Sequence, residues 1–470
     1  KAYPGYYSVV LESTGIKADL TATQNCGFHK YSYPRDKNAL LILDLSRGLV
    51  DRQSCGGEIK IDPSASEISG YQIACGGLTS RAGGVKFYFF GLVSDAFKEF
   101  GVRNSESGIR EGISEASGEK IAAYFDFGAL NKPLLLKVGI SLISTLQAKK
   151  NLIEQIPDWD FDKILSQAEA DWDAPLNKIE IKGGNPDQRA IFYSAIYHSY
   201  VMPTNLTESR ETRDRVYLGF DNQVHQADFG IYYSDFSIWD TFRNLHPLLV
   251  LLEPKRSVDM MQSLVKMSEQ GGFLPRWPTA NIYTNCMTGT FADCVIADNY
   301  IKGLADFDVE KAYEKMLKVA NEPTPKGHPY TGRPGILDYK KYGYLPVESK
   351  QPASSTLEYA YCDFCIAQLA SKLGKTKGAQ EFYQRALNYK NTYDQKSGFF
   401  RPRKADGKFS ANFSPLRWGG YYTEGTAWQW LWTNWYDPEG LAELMGGKDK
   451  VIAKLETLFE KGAQKKSNAL

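Results

Sequence analysis

No stretch of this chain comes near the roughly 20 consecutive apolar residues needed to span a bilayer, and residues 1 to 15 carry no basic-then-apolar signal pattern. Charge of one sign is missing too. Lys plus Arg number 56 against 55 Asp plus Glu, and the longest basic cluster is the short tail "KGAQKKSNAL". That balance gives no footprint for nucleic acid or an anionic membrane surface. Histidine is scarce, with five in 470 residues, and His29, His198, His225, His246 and His328 form no metal-ligand spacing. Seven cysteines are an odd number scattered over a long chain, which is no disulfide framework. The one close pair, Cys362 and Cys365, sits in a helical pattern without a second pair and reads as buried structural thiols rather than a zinc site. A nucleophile elbow, a P-loop and a strand-linked G-x-G-x-x-G are all absent.

What is abundant is aromatic: 13% of the chain, with 29 Tyr and 9 Trp. Aromatic faces stack on the apolar faces of sugar rings while nearby carboxylates take the hydroxyls, so the surplus fits a carbohydrate pocket, although large cores use aromatics too. The length calls for two or three domains. Up to about residue 150 short alternating segments such as "GYYSVVLES", "IKADLTATQN", "ALLILDLS", "VKFYFFGLVS" and "EKIAAYFDFG" predict an antiparallel β-sandwich. The period then turns helical. "IPDWDFDKILSQAEADW" predicts a linking helix with an Asp or Pro cap. "DQRAIFYSAIYHSYVM", "SVDMMQSLVKMSEQGG" and "TLEYAYCDFCIAQLASKLGK" predict helices joined by long Gly-, Pro- and Trp-rich loops, in the manner of an α/α toroid. The expected division is a β-sandwich over residues 1–155, a linking helix over 156–180 and an (α/α)6-barrel-type catalytic domain over 181–470.

Four stretches could carry chemistry. In "YYTEGTAWQWLWTNWYDPEGL" Glu424 stands before a run of rings, where packing against them would disfavour its charged form and suit a general acid; the alternative is that the rings are simply core. In "YYSDFSIWDTFRNLHPLL" Trp239, Asp240 and Arg243 fall within about one helical turn, either as a clamp for a sugar or as an Asp240–Arg243 ion pair beside a core Trp. "GGFLPRWP" fixes a loop presenting Arg276 and Trp277, after which Asp293 and Asp298, five apart, make a poor dyad; Asp298 has Lys302 as a surface partner. In "SSTLEYAYCDF" Ser354 or Ser355 with Glu358 reads as a capping box.

Taken in order, "PGYYSVVLESTGIKADLTAT", "YSDFSIWDTFRNLHPL", "GGFLPRWP", "NCMTGTFADCVIADNYIKG", "SSTLEYAYCDFCIAQLASKLGK", "FRPR", "YYTEGTAWQWLW" and "LMGGKD" resemble the calcium-dependent exo-α-mannosidases of glycoside hydrolase family 92. The resemblance implies a β-sandwich docked on an (α/α)6 barrel, and removal of terminal α-mannose, with α-1,2 the expected linkage, from a mannose-containing oligosaccharide or N-glycan by inversion. It implies Glu424 as the general acid, Trp239 and Asp240 in the mannose subsite, and Arg243 and Trp277 as pocket wall. It also implies Ca2+ as cofactor and a secreted, periplasmic or cell-surface location. The family's aspartate base and calcium ligands lie in segments that match no stretch here, so no base or metal ligand is carried onto this sequence. That departure keeps three other readings open: a chain associated with a remaining fragment of the same protein, a mannose-binding or scaffold protein that does not cut, and a different α/α-barrel glycosidase with its second carboxylate within this sequence.

Overall fold

The computed structural model describes residues 1–48, 54–104, 108–209 and 214–464; the basic tail falls largely outside them. Two compact units emerge, one formed by Lys1–Asp235 with Thr279–Ile282, the other by Phe236–Pro278 with Tyr283 onward.

The first unit is an antiparallel β-sandwich, as its alternating segments predict. Its strands are β1 (Ala2–Tyr3), β2 (Tyr6–Leu11), β3 (Ile16–Ala22), β4 (Cys26–Ser32), β5 (Asn38–Asp44), β6 (Ser54–Asp62), β7 (Glu67–Ala74), β8 (Val85–Val93), β9 (Glu99–Asn104), β10 (Gly108–Glu111), β11 (Glu115–Gly118), β12 (Ala122–Ala129) and β13 (Leu134–Ser141). They form a nine-stranded sheet in the order β1-β2-β3-β4-β13-β8-β7-β6-β11 and a four-stranded sheet in the order β10-β9-β12-β5. The inward side chains of both, among them Ile59, Ile68, Phe89, Val102, Phe125 and Leu136, fill the space between the sheets.

The larger sheet is covered on its other face by α1 (Thr145–Gln155) and α2 (Phe161–Leu176), through Phe28, Phe90, Leu152, Ile156 and Phe161. That double burial explains why "LLLKVGIS" of β13 shows a run of apolar residues rather than alternation. Gly139 lets α1 come close, because a Cβ there would lie 2.2 Å from the Ala148 carbonyl oxygen. As expected, Asp160 caps α2, accepting from Lys163 N at 3.0 Å. Helix α3 (Pro186–Ser199) takes Pro186 in its first turn and is capped by Asn185, in a capping box with Gln188. Cys55 and Cys75 are joined by a disulfide, a pairing the cysteine count did not reveal.

The second unit is helical: α4 (Ile238–Thr241), α5 (Leu245–Leu252), α6 (Pro254–Gly271), α7 (Ala292–Ile301), α8 (Val309–Asn321), α9 (Ile336–Tyr342), α10 (Pro352–Lys372), α11 (Thr376–Ala386), α12 (Ala427–Trp430), α13 (Pro438–Met445) and α14 (Lys448–Gln464). Helix α6 ends on Gly272 in the left-handed region, φ 87°, where a glycine was expected. Among the described residues no helix is long and apolar enough to cross a membrane. The axis of the unit is α10, buried along nearly its whole length.

A buried charge cluster ties α10 to its neighbours. Arg333, 1% exposed, bonds Asp363 Oδ1 at 2.6 Å and Asp293 Oδ2 at 3.0 Å, and Arg385 reaches Asp363 Oδ2 at 3.1 Å. Arg333 also donates to Thr290 Oγ1 at 3.0 Å, and Tyr339 to Asp363 Oδ2 at 3.2 Å. Asp293 is thus part of the scaffold, while Asp298 pairs with Lys302 at 2.7 Å. The thiols of Cys362 and Cys365 are buried, as expected. Burial, followed by these two neighbouring thiols, pushes the Cys294 thiol well up.

Candidate active site

The rings around Glu424 are mainly core. Tyr422, Trp428 and Trp430 are buried in one cluster with Tyr389, Phe399 and Leu431, while Trp435 remains half exposed. Glu424 itself is exposed, which corrects the expectation that the rings enclose its carboxylate. The surrounding chain drives it outward: Glu424 has φ 42°, in the left-handed region that non-glycine residues adopt at a cost.

That conformation is held from both sides. Thr423 N donates to Ser354 Oγ at 3.0 Å, and the Thr423 hydroxyl shares a 3.0 Å bond with the same oxygen. Trp430 Nε1 donates to the Thr423 carbonyl at 2.9 Å. Beyond the glutamate, Gly419 N donates to Gly425 O at 2.9 Å, and Thr426 N donates to Gln429 Oε1 at 2.8 Å at the start of α12. Gly425 is needed there, since a Cβ would lie 2.8 Å from Trp430 Nε1. The result is an exposed carboxylate on a fixed, strained turn.

Trp239 and Asp240 lie on α4. Trp239 Nε1 donates to Glu358 Oε1 at 2.6 Å. The Arg243 guanidinium stacks 5.1 Å from the Trp239 ring centroid and 4.5 Å from that of Phe242. Asp240 is exposed and accepts from Ser237 Oγ at 2.6 Å, so it is Ser237 that orients Asp240 while Arg243 turns to the rings.

Ser354 and Glu358 therefore have roles the capping-box reading missed. Pro352 opens α10, so Ser354 lies inside the first turn and Glu358 in the second. Glu358 is 5% exposed. Burial pushes its carboxyl up to about 7, opposed by the Trp239 N–H, Thr288, Arg243 and Arg276. It lines a cavity of about 20 Å³ together with Arg243, Tyr361, Trp430, Thr433 and Trp435. Trp430 from the Glu424 turn and the partner of Trp239 thus meet around one small space. A larger cleft of about 510 Å³ shares Arg243, Tyr361 and Trp435 with it. The signal that could have revealed Glu358 was an acidic residue flanked directly by the apolar Leu357, Tyr359 and Ala360.

The "GGFLPRWP" loop behaves differently. Arg276 is buried, not presented: its guanidinium holds the carbonyls of Cys286 at 3.1 Å and Asn285 at 3.0 Å and the hydroxyl of Thr331 at 3.1 Å. Trp277 is half-buried, its carbonyl accepting from Thr284 Oγ1 at 2.7 Å, and it does not line the cavity around Glu358. Among the described residues no group of three or more His, Cys, Asp or Glu side chains is gathered in a way that could hold a metal ion.

Comparison with known proteins accounts for nearly the whole chain. Residues 1–141 match the glycosyl hydrolase family 92 N-terminal domain and residues 147–470 the family's catalytic domain. An inverting mannosidase of family GH92 from Bacteroides thetaiotaomicron VPI-5482 superposes with a TM-score of 0.89 at 32% identity, over 97% of this chain and 60% of its own. An α-mannosidase of the same family from Bacteroides thetaiotaomicron, also solved with mannoimidazole, gives 0.87 at 28% identity, over 98% of this chain and 60% of its own. An uncharacterized secreted glycosidase of Arthroderma benhamiae is 27% identical over 98% of this chain and 61% of its own length. The chain spans about three fifths of the length of these relatives.

Proposed function

Because the chain belongs to glycosyl hydrolase family 92, we propose that it acts as an exo-α-mannosidase, removing terminal α-mannosyl residues, α-1,2-linked ones foremost, from glycans with inversion. The observation that carries this reading is the Glu424 turn: an exposed carboxylate at φ 42°, clamped through Thr423 on one side and Gly425 and Thr426 on the other. A general acid must meet the leaving oxygen in a fixed direction, and a fixed backbone supplies that direction. Glu424 donates its proton to the glycosidic oxygen as the bond from that oxygen to the anomeric carbon breaks. Trp239 and Asp240 then hold the terminal sugar, the indole as a platform and the carboxylate as acceptor for hydroxyls, with Arg243 fixing the ring of Trp239.

Water must attack from the opposite face, and the base that activates it is assigned to no residue of this chain. Calcium dependence is a family expectation; among the described residues no cluster of three or more His, Cys, Asp or Glu side chains stands ready to hold the ion, and no step is derived through it. A location outside the cytoplasm is supported by the secreted relative and by the Cys55–Cys75 disulfide, a bond typical of oxidising compartments.

Substrates of unequal leaving-group quality test the reading. Glu424→Gln should reduce hydrolysis of α-1,2-mannobiose by about 10²- to 10⁴-fold and that of an activated aryl α-mannoside far less, because a good leaving group needs little protonation. Equal losses on both would remove Glu424 from the acid role. Mannose binding without hydrolysis by the unmodified chain would favour a lectin-like function instead.

A further inference from the structure

Among the described residues, Glu358 is the one buried carboxylate beside this site to which the reaction gives no part. It stands in a segment of α10 in which Leu357, Tyr359 and Ala360 are all buried, and a charge-capable group there is costly unless something answers it. A leucine or methionine would fill the same volume more cheaply. What answers it is Trp239: Oε1 accepts the indole N–H at 2.6 Å. Oε2 is buried without a hydrogen-bond partner among the described residues. The cavity of about 20 Å³ that Glu358 lines has room for a single water. The nearby polar groups are few and specific. Thr288 Oγ1 shares its 2.9 Å bond with Ser355, Arg276 is occupied with backbone carbonyls, and Arg243 lies over the face of Trp239 at 5.1 Å.

Trp239 is thus constrained twice, at its edge by Glu358 and on its face by Arg243. The plane of an indole is otherwise free to turn about χ1 and χ2, and Asp240 follows it directly in the chain. We infer that Glu358 is the positioning residue of the sugar subsite, fixing the plane of Trp239 beside Asp240, without touching the sugar. The inference rests on the mannosidase reading for the identity of the ligand and on the Trp239–Glu358 bond for the role.

The test uses mannoimidazole as probe, with three variants. Glu358→Gln keeps an acceptor oxygen, Glu358→Met keeps the volume alone, and Trp239→Phe keeps an aromatic ring but has no N–H to donate. Loss of a hydrogen bond to a charge-capable group should weaken binding by about tenfold or more in Glu358→Met, with Glu358→Gln restoring most of it. Adding Glu358→Met to Trp239→Phe should cost nothing further, because both remove the same bond. In ¹H–¹⁵N spectra the Trp239 indole resonance, identified by its disappearance in Trp239→Phe, should move upfield in Glu358→Met and stay near its place in Glu358→Gln. That resonance reads the bond whether or not ligand is present, and its dispersion with the other indoles reports that the variant is folded. Additive losses, or Glu358→Gln as weak as Glu358→Met in a folded protein, would overturn the positioning role while leaving the mannosidase reading intact. An unmodified chain that binds no mannoimidazole would overturn both the mannosidase reading and the subsite assigned here.

Discussion

Ser354 and Glu358 stand four residues apart on the same face of α10 and hold the two halves of the candidate site. Ser354 Oγ accepts from Thr423 N at 3.0 Å, immediately before Glu424, and Glu358 Oε1 accepts from Trp239 Nε1 at 2.6 Å, immediately before Asp240. Side chains at i and i+4 lie one above the other on a helix. A single turn of a buried helix therefore spaces the proposed acid from the proposed sugar-binding pair.

Ser354→Ala removes the acceptor for Thr423 N and the partner of its hydroxyl. The turn would keep its Trp430 tether but lose its register on α10, and misplacing a catalytic group by about 1 Å can cost about 10²-fold. Steady-state kinetics on α-1,2-mannobiose should show a fall in kcat of about tenfold or more with KM little changed. A change confined to KM would separate Ser354 from the acid.

Gly425→Ala brings a Cβ to 2.8 Å from Trp430 Nε1 and 3.0 Å from its Cδ1. Since Trp430 Nε1 is the group that holds the Thr423 carbonyl, relief of the clash must disturb the turn. Overpacking of this kind costs about 1–3 kcal/mol, so thermal denaturation should show a modest drop in Tm alongside a larger loss of activity. An unchanged kcat would mean that the turn tolerates displacement.

Asp363→Asn leaves Arg333 and Arg385 with less buried negative charge to face them. Breaking one side of a buried ion pair costs about 3–5 kcal/mol, and urea unfolding should register a loss of that order. A loss below about 1 kcal/mol would mean that Asp293 alone suffices for Arg333.

Stability should fall as pH rises through the range set by two buried acids. Burial raises Glu358 to about 7 and Asp293 to about 6, both above their ordinary values, so the native state keeps protons that the unfolded chain has released. Their contribution is complete below the ordinary carboxylate range and is lost as pH climbs toward 7. Glu358→Gln, neutral throughout, should flatten the fall in Tm between about pH 5 and 7.5, with Asp293 supplying what slope remains. An identical slope in both proteins would show that Glu358 is charged across that range.

The sequence carried the fold because its signals are local. The alternation in "IKADLTATQN" and the glycines after "SVDMMQSLVKMSEQ" follow from burial on one face and from helix termination, and β3 and α6 form where those patterns stand. Strand β13 escaped because a strand covered on both sides loses its alternation, and the Cys55–Cys75 bond because pairing depends on strands brought together from 20 residues apart. Glu424 stood out as a lone acid among aromatics, yet the reason offered for it, enclosure by rings, was not the one the fold uses. Glu358 was hidden by a plausible local explanation. Ser-x-x-Glu at a helix start, here Ser355 to Glu358, reads as capping until the position of Pro352 shows that the helix begins earlier.

The charge cluster around Arg333 draws side chains from four helices: Asp293 of α7, Tyr339 of α9, Asp363 of α10 and Arg385 of α11. Opening α7, α10 or α11 alone would break a buried ion pair, and opening α9 would take the Tyr339 hydroxyl from Asp363, so the cheapest excursion releases all four at once. Their slowest-exchanging amides should therefore share one opening free energy, as a single cooperative unit. The turn bearing Glu424, anchored through Ser354 to one of these helices, would inherit that quiet on the timescale of turnover.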